Sequence, residues 1–266
     1  MKQVLFFLLL AAMTLGCNRV PITHRRQSTW ENEAALQKMS DSLYQQFIAT
    51  HKITKNKQES DQVQIVGQKL SNAITSFFKT YENGKYYNEI VAYKWAFNTI
   101  QDSTVNAWCM PGGKVVVYTG LMKVTQDDTG LAVVLGHEIA HAIAKHGNER
   151  MTQEMKAQGL GNILSIALSG SPQATQDILG IVYGAAGGLT LLKYSRKHET
   201  EADKIGLVFM ALAGYDPSKA IAFWERMSKA SNAKIPQWLS THPSDQARIN
   251  DLKSWLPEAL KYYKKP

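Results

Sequence analysis

The stretch GLAVVLGHEIAHAIAKHGNER, residues 130–150, decides how this chain is read. From Gly130 to Gly136 every residue is apolar or glycine, which predicts a helix buried in the core. That helix carries His137, Glu138 and His141. Residues four apart on a helix are offset by about 40° around the axis and one turn along it, so the two imidazoles project toward one point and can share a metal. Glu138 lies about 100° round from His137, where its carboxylate reaches a water on that metal without being a ligand. Two ordinary core histidines would explain neither the spacing nor the glutamate.

A catalytic zinc commonly takes three protein ligands and leaves a fourth position to water. The extended three-histidine pattern fails here, because Ala144 stands where its glycine belongs and Gly147 where its third histidine would fall. The third ligand is therefore sought in a later helical stretch, YSRKHETEADKIGLVFMALAGYDP, where Glu199 and Asp203 again stand four apart. One carboxylate can bind the metal while the other holds a ligand histidine by its second ring nitrogen. Glu201 is a rival ligand and His198 a weaker one, while Glu201 and Lys204 otherwise read as a solvated charged face.

Outward from these motifs, Leu36, Met39, Leu43 and Phe47 recur at helical intervals after a capping-box spacing at Ser28 to Glu31. Val63, Val66, Leu70, Ile74 and Phe77 repeat the pattern in a second helix. VNAWCMPGGKVVVYTGL reads as two strands joined at Pro111-Gly112-Gly113, and Thr125 to Asp128 has the spacing of a cap opening the helix of His137. The apolar stretch from Ile163 to Leu192 is broken by Ser, Pro and Asp177. Its second half is shorter than the ~20 residues needed to cross a bilayer, so it reads as buried core helices or a cover over the cleft.

The chain has 266 residues, 44% of them hydrophobic, enough for one sizeable domain. Its net charge of +8 is spread along the sequence and reads as a solvated basic surface rather than a nucleic-acid face. At the N-terminus MKQVLFFLLLAAMTLGC has the layout of a secretory signal over residues 1–16, with Cys17 at the cleavage point as in a lipobox. Residues 17–30 then read as a mobile, lipid-anchored polar tether, and residues 31–266 as the catalytic domain. With Cys17 lipidated, Cys109 would have no disulfide partner, and the fold would rest on packing and metal.

Taken together, His137-Glu138-x-x-His141, Ser195-Arg196-x-x-Glu199-x-x-Ala202-Asp203, the strand pair from Asn106 to Leu121 and STHPSDQAR at 240–248 resemble the zinc metallopeptidase family of the CAAX prenyl protease and HtpX. The similarity is nearest to its periplasmic BepA- and LoiP-like branch, with the mitochondrial overlapping-activity peptidase as a cousin. The resemblance implies an α+β gluzincin fold, mainly helical, with a small mixed sheet over the active-site helix. It implies one zinc per chain held by His137, His141 and Glu199, with Asp203 behind a ligand and Glu138 as general base. His242 and Arg248 match family residues that approach the metal. The histidine matching His242 can fill the open zinc position in relatives, so it either latches the enzyme or assists the oxyanion. The edge strand at Asn106, Ala107 and Trp108 would pair with an extended substrate.

The metal-binding pattern and the lipobox point to a zinc endopeptidase of the bacterial envelope, and the resemblance implies that it degrades misfolded or stalled envelope proteins. The expected setting is the periplasmic side of the outer membrane, held through lipidated Cys17. A non-catalytic envelope chaperone with a latched zinc site is the alternative.

Overall fold

The computed structural model describes residues 15–30, 33–158, 195–230, 238, 242 and 246–264. The predicted buried helix is α5, Asp128–Ile143, and every residue from Gly130 to Ile143 is buried. Its N-cap is Asp127, whose carboxylate accepts from the Gly130 N–H, so the start lies within the predicted Thr125–Asp128 window but on a different residue. The helix packs against α2 (Lys57–Phe78), α7 (Arg196–Leu212), α8 (Lys219–Ala230) and strand β4 (Ala107–Met110). Helix α2 begins at Asn56, whose side chain accepts from the amides of Gln58 and Glu59, and it buries Val63, Val66, Leu70 and Ile74 as the spacing requires. Ser195 caps α7 in the same way by accepting from His198 N–H.

Three strands lie over α5 in the order β3 (Ala96–Ile100), β5 (Lys114–Tyr118), β4. β3 runs parallel to β5, with Ala96 opposite Lys114, and β4 runs antiparallel to it, with Ala107 opposite Val117. The result is the small mixed sheet that the family resemblance implies, and β4 forms one edge of it. The β4–β5 turn places Gly112 and Gly113 at φ +80° and +81°, a conformation that side chains disfavour. A Cβ on Gly113 would also meet the Trp95 ring. One face of the sheet packs into the main core with α5, through Ala107, Cys109, Val115 and Val117. The opposite face, with Trp108, Met110 and Val116, packs against Tyr44 and Phe47 of α1 (Glu33–Thr50).

Two expectations about the N-terminal part are corrected. Ser28 does not cap α1, because it lies within strand β2 (Arg26–Trp30) and α1 begins at Glu33. The segment read as a mobile tether is a hairpin: β1 (Leu15–Arg19) pairs antiparallel with β2, with Cys17 opposite Ser28. Two buried apolar side chains, Val20 and Ile22, fasten its connecting loop to the core. Two apolar residues without a period gave the sequence no helical or strand signal. The expected signal segment lies outside the described residues up to position 14, as does the whole apolar stretch of 159–194. Among the described residues no helix is long and apolar enough to cross a membrane.

The axes of α5 and α7 approach closely because a glycine on each helix faces the other. A Cβ on Gly206 would sit 3.0 Å from His137 N and 3.1 Å from Gly136 C, both backbone atoms. Gly206→Ala is therefore expected to wedge the helices apart. Helix propensity alone favours alanine by about 1 kcal/mol, but overpacking costs ~1–3 kcal/mol. The net expectation is destabilisation by up to about 2 kcal/mol, a fall in Tm of up to roughly 8 °C by calorimetry. A rise would contradict the close approach.

Candidate metal centre

Helices α5 and α7 meet at the two glycines, and the turns that follow Gly136 on α5 and precede Gly206 on α7 deliver their polar residues to the same point. His137 Nε2 and His141 Nε2 are 3.1 Å apart. Glu199 from α7 places Oε2 3.4 Å from His137 Nε2 and Oε1 3.3 Å from His141 Nε2. His242 completes the group, with Nδ1 3.2 Å from His137 Nε2 and 3.0 Å from Glu199 Oε1. All four side chains are buried. Zinc bonds of 2.0–2.1 Å in a tetrahedron separate neighbouring ligand atoms by about 3.3 Å. With the named pairs at 3.0–3.4 Å and all ligand atoms within 4.8 Å of one another, the group has spacing and N/O chemistry that suit a tetrahedral site, and the residues fit a divalent metal.

Each histidine of α5 is also held from behind. His137 Nδ1 lies 2.9 Å from Asp203 Oδ1. Asp203 in turn accepts from Arg248 Nε and Nη2, both at 2.7 Å, while Arg248 Nη1 is 3.3 Å from Glu199 Oε2. The guanidinium lies flat on Trp224, 3.4 Å from the ring centroid. Arg248, a catalytic residue by the family resemblance, therefore braces Asp203 and Glu199 from α9 (Gln246–Leu260). His141 Nδ1 faces His146 Nδ1 at 2.9 Å. This contact arises because Lys145 adopts φ +57° just past the end of α5, turning the chain so that His146 folds back beneath His141.

Glu138 is buried beside this group, and its Oε1 accepts from Trp238 Nε1 at 2.7 Å. His242 Nε2 lies 3.5 Å from the same oxygen. Trp238 and His242 belong to one turn, since His242 N–H donates to Trp238 O at 2.8 Å. That turn also touches the sheet edge, where Trp238 N–H donates to Val105 O at 3.0 Å. Trp238 and His146 were not singled out by the sequence. Each had a signal: a large aromatic residue one turn before His242, and a third histidine five residues after His141.

The rival ligands go elsewhere. Glu201 is neither a ligand nor solvated: it is 4% exposed and hydrogen-bonds His146 Nε2 at 3.0 Å and Arg25 Nε at 2.6 Å. His198 Nε2 pairs with Glu149 at 3.1 Å. The expected edge residues divide by side. Asn106 accepts from Ala107 N–H through its own side chain. Ala107 faces α5, and Trp108 packs edge-on against Phe47 on the far face.

The charges are set by these contacts. Burial works against a cation on His137, but Asp203 and Glu199 outweigh it and raise the imidazole to about 9. Burial dominates at His141 and lowers it well below the usual range. Burial also opposes a charge on Glu199, yet His242 and then the two α5 histidines hold its carboxyl well below the usual value. Farther out, burial is again overcome, by His198 and Arg25 at Glu149, which is held down at about 2.

Residues 86–256 match the sequence profile of Peptidase family M48, and the chain belongs to that family. Over 168 residues it is 40% identical to the mitochondrial metalloendopeptidase OMA1 of Schizosaccharomyces pombe, a match covering 62% of this chain and 48% of that protein. It is 35% identical over 174 residues to the mitochondrial metalloendopeptidase OMA1 of Homo sapiens, covering 63% of this chain and 33% of that one. With the β-barrel assembly-enhancing protease of Escherichia coli it shares 30% over 165 residues, covering 59% and 34%. The match spans half or less of each relative's length. Family membership implies a divalent metal, in agreement with the His137, His141, Glu199 and His242 group. The expected bacterial outer-membrane location is corrected by these relatives, since the two of higher identity are mitochondrial by name. A lipobox-like cysteine is too short a signal to assign a compartment.

With its imidazole raised to about 9 by Asp203 and Glu199, the metal-free His137 is expected to carry a proton at neutral pH that a metal must displace. Its stabilising effect on the folded chain is complete below the unfolded value of ~6.5 and is lost as pH rises through about 9. Metal affinity should rise about tenfold per pH unit from neutrality and level off above about 9. Calorimetric titration in buffers of differing ionisation enthalpy should find about one proton released per metal near neutral pH. Release of none would show His137 to be neutral in the metal-free chain.

Proposed function

We propose that this chain is a zinc-dependent endopeptidase that cleaves extended segments of unfolded or misassembled proteins. The observation that carries the reading is the buried convergence of His137, His141 and Glu199, with the Glu138 carboxylate alongside. A structural zinc site is usually cysteine-rich and has no need for an adjacent carboxylate. Bound there, one zinc supplies Lewis acidity, polarising a carbonyl and acidifying water.

The chain's own residues do the rest. His137, His141 and Glu199 hold the metal, and Asp203 keeps His137 in the tautomer that directs Nε2 inward. Glu138 takes the proton of the attacking water and passes it to the leaving amide nitrogen. An extended substrate adds to the edge of β4 that carries no further strand among the described residues, at Asn106 and Ala107, through main-chain hydrogen bonds that tolerate many side chains. The chain's own turn already uses this edge at Val105, in support of such pairing.

The resting site is latched. His242 fills the fourth donor position, where water would be needed, and Trp238 engages the carboxylate oxygen that must accept the proton. Displacing the Trp238–His242 turn frees both at once. A substrate strand extending along β4 toward Val105 would meet this turn, so substrate entry and unlatching are one event.

Initial rates on an unfolded protein such as casein test the reading. Glu138→Gln is expected to abolish cleavage while retaining zinc. His242→Ala is expected to raise the basal rate, and adding Glu138→Gln in the same chain to abolish the gain. A His242→Ala rate below wild type by ~10²–10³, the effect of losing an oxyanion donor, would reject the latch.

A further inference from the structure

The tip of the β1–β2 hairpin reaches the back of the metal centre through a continuous line of polar contacts. His141 presents Nε2 to the metal-facing group, so its proton sits on Nδ1 and is donated to His146 Nδ1, 2.9 Å away. His146 must then accept at Nδ1 and carry its own proton on Nε2, which donates to Glu201 Oε2 at 3.0 Å. Only this tautomer pair satisfies both contacts. Glu201 accepts in addition from Arg25 Nε at 2.6 Å and, on its other oxygen, from the Thr23 hydroxyl. Arg25 then turns its two remaining nitrogens onto Glu149, at 2.8 and 2.6 Å. Its planar fork thus ties Glu201 on α7 to Glu149 on α6 (His146–Gln158), in a geometry lysine cannot copy.

We propose that the hairpin is an integral part of the metal centre: Arg25 and Thr23 position Glu201, which fixes His146 and thereby the tautomer and aim of the ligand His141. Arg25, Thr23, Glu201 and His146 are positioning residues, since none of them reaches the metal-facing group. Thr23 and Arg25 also lie outside residues 86–256, which match the family, whereas His146, Glu149 and Glu201 lie within them. Two of the buried carboxylates in the family portion, Glu149 and Glu201, are therefore bridged by a side chain from beyond its boundary. Order in the hairpin sets how firmly His141 binds. The proposal rests on the metal-centre reading above.

Zinc affinity of the full chain, measured by competition with a chromogenic chelator, tests it. Loss of an outer partner of a metal-bound histidine typically weakens binding about 10–100-fold, and that is the expected result for Arg25→Met and for His146→Leu. His146→Gln can still accept from His141 and donate to Glu201, so it is expected to stay within about threefold of wild type. If the residues act as one line, the double variant Arg25→Met/His146→Leu loses little more than the worse single variant. Nitrogen-15 NMR of the zinc-loaded wild type should show His141 protonated at Nδ1. Should Arg25→Met fail to fold, Thr23→Val removes a single hydrogen bond and no charge, and is expected to weaken zinc by about two- to tenfold. Wild-type affinity in Arg25→Met or Thr23→Val, or full additivity in the double variant, would overturn the proposal while leaving the zinc site intact. A wild-type chain that takes no zinc would overturn the metal-centre reading and this proposal with it.

Discussion

Glu199 lies in the interior, between three imidazoles and one guanidinium, and the arrangement of the molecule around it follows from the cost of placing a carboxylate there. An isolated buried carboxylate is strongly disfavoured. Glu199 is compensated from three directions: His137 and His141 of α5, His242 from the turn beyond α8, and Arg248 of α9. These partners can converge only because Gly136 and Gly206 let α5 and α7 approach backbone to backbone. The close helix contact and the charge cluster are thus one constraint, stated once in packing and once in electrostatics.

The same logic repeats on both sides of the centre. Each α5 histidine is backed by an acid, and each acid is clamped by an arginine from a distant part of the chain. For His137 the order is Asp203, then Arg248. For His141 an additional imidazole intervenes, and the order is His146, Glu201, Arg25. Arg248 forks onto Asp203, whereas Arg25 gives Glu201 its Nε and forks onto Glu149. Two chain segments that carry no ligand, the N-terminal hairpin and α9, therefore hold the donor set in place, and a third, the Trp238–His242 turn, closes it.

Much of this was legible in the sequence because helical spacing is a local property. His137, Glu138 and His141 follow from a single stretch, and Glu199 with Asp203 repeats the four-residue interval one motif later. The β4–β5 hairpin announces itself through Pro111-Gly112-Gly113. What escaped depends on contacts between parts distant in sequence. Glu201 looks like a surface residue on its own helix and is buried only because Arg25, 176 residues earlier, comes to meet it. His146 is one residue too far along to share a helical face with His141 until the backbone reverses at Lys145. The hairpin has no periodicity to betray it, since it is fastened by two apolar side chains and one ion pair cluster. The compartment was misread because a short terminal motif carries little physical information about location.

X-ray absorption at the zinc edge addresses the closed, four-donor site most directly. For the resting wild-type chain the account predicts three imidazole nitrogens and a carboxylate oxygen at about 2.0–2.1 Å, and for His242→Ala one imidazole fewer with a water oxygen in its place. A wild-type spectrum showing only two imidazoles, unchanged by His242→Ala, would contradict it.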